Sequence, residues 1–234
     1  MRIRHKPYAK AELAAWSRFN THPENSFAHW FAEYQNPDLP FHVELGCGKG
    51  RFLAQLALRE PGVNYLGVDI KNEVLVVAKR TIEKSFENIQ KKPNNVMLTS
   101  YNVEKIHAIL GEHDEVARIY INFCNPWYKA GHAKHRLTHP RQLVQYRRFL
   151  RPGAEIHFKT DDEPLFRDSL RYFPMAGFEI QWQCFDLHKE GPGGNIPTEH
   201  EEMFARQGIP IKACVAKMVP AQLDIERLSL LKDI

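Results

Sequence analysis

The stretch "FHVELGCGKGRFLAQLALRE", Phe41 to Glu60, passes from apolar residues through a turn with glycines at 46, 48 and 50 into a helical apolar pattern. Its first part, "FHVELG", reads as a short buried strand and Arg51 to Glu60 as a helix, so the glycines form a strand-to-helix connection. Outward from it the same alternation continues. "NYLGVDI" is a second strand, and from Asn72 to Lys91 the residues Val74, Val77, Ala78, Ile82, Phe86 and Ile89 recur at helical spacing. "NVMLTS" and "VARIYINF" are further strands. Thr138 and Pro140 cap and open a helix to about Leu150, and Pro152 and Gly153 turn into a fifth strand, "AEIHFKT". Asp161 or Asp162 then caps another helix, and "FEIQWQCF" and "IKACVAKMV" are late strands. Strand and helix alternating in this way predict an α/β fold with a mainly parallel sheet covered by helices on both faces. We expect one domain over residues 1–234, with a helical amino-terminal extension (1–38) and a helical carboxyl-terminal tail (218–234).

Composition narrows the classes. With 43% hydrophobic residues in 234 the chain can bury a core, which excludes disordered and fibrous proteins. No apolar run reaches the roughly 18 residues of a membrane span, and "MRIRHKPYAK" lacks the apolar region of a signal peptide, so we expect a cytoplasmic protein without a membrane partner. Cys47, Cys124, Cys184 and Cys214 form no CxxC pair, which suggests packing residues, no metal and no disulfide framework. The net charge of +4 is mild, but its distribution is uneven. Between Glu115 and Glu155 there is no acid, while the interval holds Arg118, Lys129, Lys134, Arg136, Arg141, Arg147, Arg148 and Arg151, with His132, His135 and His139. Arg2, Arg4, Lys6 and Lys10 form a second cluster. Cations without interleaved acids favour a polyanionic partner; the alternative is a solvated helix face for Arg147, Arg148 and Arg151.

In an open parallel sheet, ligands bind beyond the carboxyl ends of the strands. There, Gly46, Gly48 and Gly50 permit positive dihedrals and close approach of a ligand to the backbone. The dinucleotide pattern G-x-G-x-x-G fails, because Arg51 stands where its last glycine belongs. The pattern is E-x-G-x-G-x-G, and the carboxylate of Glu44 would repel a pyrophosphate but suits a cation. Asp69 closes the second strand, where an acid can accept both hydroxyls of a ribose. Adenosine with a positive charge points to S-adenosylmethionine.

Several separate motifs, "MRIRHKP", "VELGCGKGRFL", "YLGVDI", "INFCNPWYKAGHAKHRLTHP", "IHFKTD" and "GNIPTEHEEMF", occur in an order that resembles the bacterial tRNA (guanine-N7)-methyltransferase family over nearly the whole length. The resemblance implies a Rossmann-like class I S-adenosylmethionine-dependent methyltransferase fold and a tRNA substrate, modified at the variable-loop guanine of position 46. By position it implies cofactor contacts at Glu44, Asp69, Asn102 and Asn125, beside the glycines 46, 48 and 50. It implies substrate contacts at Lys129, Asp161 and the segment Thr198, Glu199, His200 and Glu201. Asp161 and Asn125 are the implied catalytic positions, and Lys134 and Arg136 the implied contacts to the RNA backbone. Each residue also has a plain structural reading: Asn102 and Asp161 as helix caps, Thr198 and Glu201 as a T-x-x-E capping box, and Trp127 as a buried aromatic.

The match departs from the family at defined places. Asn125 and Asn102 stand where the family usually has Asp, and "KAGHAKHR" is a thinned form of its basic run. Two alternatives follow. Asn-Pro-Trp is similar to the N-P-P-[YFW] loop of methyltransferases acting on exocyclic amines, although its second proline is missing; and a catalytically silent tRNA-binding relative would keep the fold while losing cofactor-side acids. His132, His135 and His139, without a nearby acid, suggest phosphate contact or exposure before zinc. The tail "AQLDIERLSLLKDI" is compatible with a monomer or a homodimer.

Overall fold

Strands buried on both faces need mostly apolar sequence, and the first half of the chain supplies it, with His42, Glu44, Asn64 and Thr99 buried among the apolar residues. The computed structural model describes residues 4–220, and the chain divides into two compact units, one ending at Val116 and one beginning at Ala117. In the first, α1 (Ala9–Ala14), β1 (Phe19–Asn20), β2 (Phe41–Leu45), α2 (Arg51–Arg59), β3 (Asn64–Asp69), α3 (Asn72–Glu87) and β4 (Val96–Ser100) follow one another. The strands lie in the order β1-β4-β3-β2 and every pairing between them is parallel. All of β2 is buried, as are all residues of β3 before Asp69 and of β4 before Ser100. Parallel strands end on one edge, so Leu45, Asp69 and Ser100 mark a common carboxyl edge.

The amino-terminal segment is helical only in part. Besides α1 it forms two 3₁₀ turns, Pro23–Ser26 and Trp30–Glu33, and the short strand β1, which the sequence pattern does not signal. Trp30 locks it down: the indole is fully buried, its Nε1 donates to the carbonyl of Ile109 at 2.6 Å, and its backbone N–H donates to Asp114 at 2.8 Å. α3 is rotated from the expected face. Leu75, Val76, Ala78, Ile82 and Phe86 are its buried residues, whereas Val74 and Val77 are half-buried and Ile89 lies exposed beyond the helix end. α1 packs along α3, where Glu12 holds Arg80 at 2.6 Å and Lys79 at 3.4 Å.

The second unit contains β5 (Val116–Asn122, beginning at the boundary), α4 (Pro140–Tyr146), β6 (Leu150–Thr160), α5 (Glu163–Met175), β7 (Phe178–Cys184), α6 (Leu187–Glu190), α7 (Glu199–Arg206) and β8 (Lys212–Met218). Its strand order is β5-β6-β8-β7, with β8 antiparallel to both neighbours. Phe158 meets Phe166 and Phe173, and Phe173 meets Phe178, at centroid separations of 6.1, 6.5 and 6.2 Å, forming its aromatic core. The eight strands are mostly parallel, as an α/β fold requires. Of the expected tail 218–234, Met218 closes β8 and residues 221–234 lie outside the described residues.

The helix after the basic loop corrects the sequence reading. It stops at Tyr146 rather than near Leu150, so Arg147, Arg148 and Arg151 do not share a helix face; Arg147 turns inward, donating to the carbonyls of Gly177 (2.7 Å) and Val219 (3.2 Å). Nor does Thr138 cap it. Thr138 is fully buried against Ser169, Oγ to Oγ at 2.6 Å, and the cap is His139, whose Nδ1 accepts the N–H of Arg141 at 3.2 Å. An accepting Nδ1 must be unprotonated. Burial, then the charges of Arg136 and Arg141, push this imidazole down to about 4. The unfolded chain therefore takes up a proton between an ordinary pKa near 6.5 and about 4 that the folded chain refuses, so stability falls with pH through that window. Between pH 7 and 5, wild type should lose about 2 kcal/mol more than His139→Asn, which keeps an accepting cap without titrating. Guanidinium unfolding at the two pH values measures this, and equal losses would remove His139 as the cause.

Candidate functional site

In the first unit the turn after β2 has the backbone its glycines allow. Gly46, Gly48 and Gly50 have φ of 80°, 54° and 72°, and the N–H groups of Gly46 and Cys47 both donate to the carbonyl of Val68, at 2.8 and 3.0 Å. The glycines do different jobs. A Cβ on Gly50 would stand 2.8 Å from that of Ala78, so this glycine lets α2 and α3 approach; a Cβ on Gly46 or Gly48 would meet nothing within 4 Å. Open space above two left-handed residues is room for a ligand against the backbone.

Carboxylates surround that space. Asp69 accepts the N–H of Gly48 through Oδ2 and that of Lys71 through Oδ1, both at 3.1 Å, which fixes its orientation while leaving lone pairs on each oxygen. Glu44 is buried one residue before the end of β2. Burial lifts the Cys47 thiol well above its ordinary pKa, and the negative charges of Glu44 and Asp69 raise it further. The field at the turn is negative, suited to a cation and hostile to a pyrophosphate. Asn102 follows β4 and caps a 3₁₀ turn, its Oδ1 accepting from Glu104 N–H at 3.0 Å. Glu44, the three glycines, Asp69 and Asn102 thus gather along one edge of β2, β3 and β4.

In the second unit, β5 runs into a folded loop. Asn125 accepts the N–H of Trp127 through its side chain at 3.1 Å, and Trp127 and Phe123 take φ of 47° and 53°. Trp127 is half-buried among His132 and His135, at ring separations of 5.7 and 5.2 Å, so those histidines wall an indole. Arg136, expected on RNA phosphates, points inward instead: it is 8% exposed, donates to the carbonyl of Pro126 at 2.7 Å and pairs with Asp168 at 2.6 Å. Lys129 and Lys134 are exposed, as are Arg141, Arg148 and Arg151. The basic interval is accordingly part anchor and part surface. Tyr128, which no sequence motif singles out, is 78% exposed, and the Asp162 carboxylate near its hydroxyl raises its pKa.

Asp161 is half-buried just beyond β6, and its carbonyl accepts from the Lys212 ammonium at 3.0 Å. The cap of α5 is Asp162, accepting from Leu165 N–H at 2.7 Å. Thr198 caps α7 through the N–H of Glu201 at 3.0 Å. The carboxylate of Glu201, fully buried, is held by Asn195 and by the Lys159 ammonium at 3.2 Å. Glu199 and His200 are exposed, and His200 stacks on Phe123 at 5.8 Å, bringing α7 to the end of β5. Lys159 was hidden in plain view within "IHFKTD"; nothing local distinguishes it from a solvated strand lysine.

A family model described as "Putative methyltransferase" matches residues 38–214. A Clostridium perfringens (strain SM101) protein named tRNA (guanine-N(7)-)-methyltransferase is 51% identical over 93% of this chain and 99% of its own. The chain belongs to the tRNA (guanine-N7)-methyltransferase family. A second protein of that name, from Acetivibrio thermocellus, is 46% identical over 93% of this chain and 99% of its own. The methyltransferase fold is also met at low identity. The 16S rRNA methyltransferase KamB aligns with TM-score 0.56 at 14% identity, covering 77% of this chain and 88% of its own. A single-substitution mutant of the 16S rRNA (adenine(1408)-N(1))-methyltransferase from Catenulisporales acidiphilia, solved with cosubstrate SAM, aligns with TM-score 0.54 at 16% identity, covering 85% and 92%. Among the described residues no helix is long and apolar enough to cross a membrane, and no group of three or more His, Cys, Asp and Glu is placed to hold a metal ion.

Membership of the methyltransferase family does not make every cation in the basic loop an RNA contact. Arg136→Met should destabilise the fold by about 2–4 kcal/mol, since it strands part of the Asp168 charge and the Pro126 carbonyl, while Lys134→Met should stay within about 0.5 kcal/mol. Denaturant midpoints of the two variants measure the contrast; equal midpoints would return Arg136 to the surface.

Proposed function

We propose that this chain methylates N7 of guanine in tRNA with S-adenosylmethionine, at the variable-loop guanine of position 46. The observation that carries guanine-N7 methylation of tRNA is near-end-to-end identity of 46–51% with proteins named for it; position 46 follows from the resemblance of the sequence motifs. S-adenosylmethionine, when bound, supplies an electrophilic sulfonium methyl group. The turn of the first unit fits this cofactor: Gly46 and Gly48 leave open space, Glu44 and Asp69 make it negative, and Asp69 keeps lone pairs for ribose hydroxyls. We assign Asn102 to the adenine and Asn125 to the cofactor side of the basic loop.

Guanine N7 carries a free lone pair at neutral pH, so the protein need not remove a proton. Its task is to orient the base and to compensate the positive charge that moves onto the purine. Asp161 accepts from the ring and amino N–H groups of guanine, with His200 beside it, while Lys129 and Lys134 meet tRNA phosphates. Glu201, expected on the same edge, is fully buried with its oxygens taken by Asn195 and Lys159, and so holds the loop rather than the base. Such a substrate makes the protein cytoplasmic. The exocyclic-amine alternative is disfavoured, because the loop it needs, N-P-P-[YFW], lacks its second proline here, Trp127 following Pro126 directly.

The test is transfer from labelled S-adenosylmethionine to unmodified tRNA, followed by cleavage specific for 7-methylguanine. Cleavage at position 46 is expected; label in an exocyclic amine, or none despite tRNA binding, overturns the reading. Asp161→Ala should lower kcat/KM for tRNA by about 10²–10³ with cofactor affinity unchanged. Glu44→Gln should weaken S-adenosylmethionine roughly tenfold and the product S-adenosylhomocysteine, which lacks the sulfonium charge, less. Calorimetric titration of both ligands separates the two, and equal loss for both would deny Glu44 a role toward the sulfonium charge.

A further inference from the structure

The Lys159 ammonium is where two substrate-side elements of the second unit are tied together. Lys159 lies on β6 two residues before Asp161, and its Nζ donates to the side-chain oxygen of Asn195, to the carbonyl of Ile196 at 3.0 Å and to Glu201 at 3.2 Å. Asn195 also donates to the other oxygen of Glu201, and His188 Nε2 stands 3.5 Å from that oxygen. The Lys159 side chain is 13% exposed and that of Glu201 not at all. An ammonium has three donors, and here three acceptors of one loop and helix start converge on it. A carboxylate buried in this way needs its counter-charge: without Lys159 it would be left uncompensated, and the loop before it would lose two anchors.

We infer that Lys159 is a positioning residue for the transfer reaction: it clamps the buried Glu201 carboxylate, and through it sets the segment from Asn195 to His200, whose exposed residues receive the guanine, without touching the guanine itself. This rests on the guanine-N7 reading above. Misplacement of a binding group by about 1 Å can cost roughly a hundredfold in rate, so the effect should be large on the substrate side and absent on the cofactor side. A merely structural lysine would lower stability and leave tRNA parameters alone.

The experiment compares Lys159→Met, Lys159→Arg and Asn195→Ala with wild type, measuring kcat and KM for tRNA, the Kd for S-adenosylmethionine and the melting temperature. Lys159→Met should lower kcat/KM for tRNA at least roughly thirtyfold with cofactor Kd within about twofold, and Lys159→Arg, which keeps charge and donors, should recover to within about fivefold of wild type. If Lys159→Met does not fold, Asn195→Ala at an exposed position decides, with an expected loss of about threefold in kcat/KM. The inference is overturned if Lys159→Met or Asn195→Ala keeps wild-type kcat/KM, if cofactor affinity falls in parallel, or if Lys159→Arg is as poor as Lys159→Met. Wild-type protein that forms no 7-methylguanine overturns the proposed function and this inference with it; active wild type beside an unaffected Lys159→Met overturns this inference alone.

Discussion

The chain must leave β2 and enter α2 between Leu45 and Arg51, and it does so through left-handed residues that bond back to β3. Much of the first unit follows from that constraint. The tie to Val68 brings the turn beside Asp69, and the missing Cβ of Gly50 brings α3 against α2. Gly67 serves the same crowded place from below, since a Cβ there would lie 2.6 Å from Leu53 and 3.0 Å from the Cys47 sulfur. Two glycines of the turn face open space and one faces a helix, so one short motif both packs the fold and keeps room for a ligand in it.

The second unit is organised by inward-facing cations. Arg136 fastens the basic loop to α5, Arg147 fastens the end of α4 to the start and end of the β7–β8 pair, and Lys212 holds the backbone at Asp161. Each donates charge-assisted bonds to carbonyls or carboxylates at the ends of these elements, some of which, such as the Gly177 carbonyl and Asp168, have a second donor as well. The basic loop and the residues just beyond β6 are thereby held by charge-assisted bonds rather than by secondary structure.

What could be read in advance was what local pattern controls. The glycine turn, the buried strands and the Thr198 cap depend on residues within a few positions of one another, and the structure has them where spacing put them. What escaped depends on distant partners. Whether an arginine in a basic run faces phosphate or protein was decided for Arg136 by Asp168, far along the chain, and nothing in "HAKHR" separates it from Lys134. His139 displaced Thr138 as the cap because Ser169 claims the threonine hydroxyl. β1 has two residues, too few for any periodicity to register.

An enzyme that handles an alkylating cofactor is exposed to damage by its own reagent, and two of its cysteines lie in the glycine turn and next to the basic loop. Cys47 lies within the glycine turn and Cys124 directly precedes Asn125. Desolvation holds both thiols protonated, raising Cys47 well above its ordinary value and Cys124, a half-buried residue, to about 12. Since only the thiolate is a competent nucleophile, the desolvation of these two sulfurs lowers their reactivity toward a methyl donor.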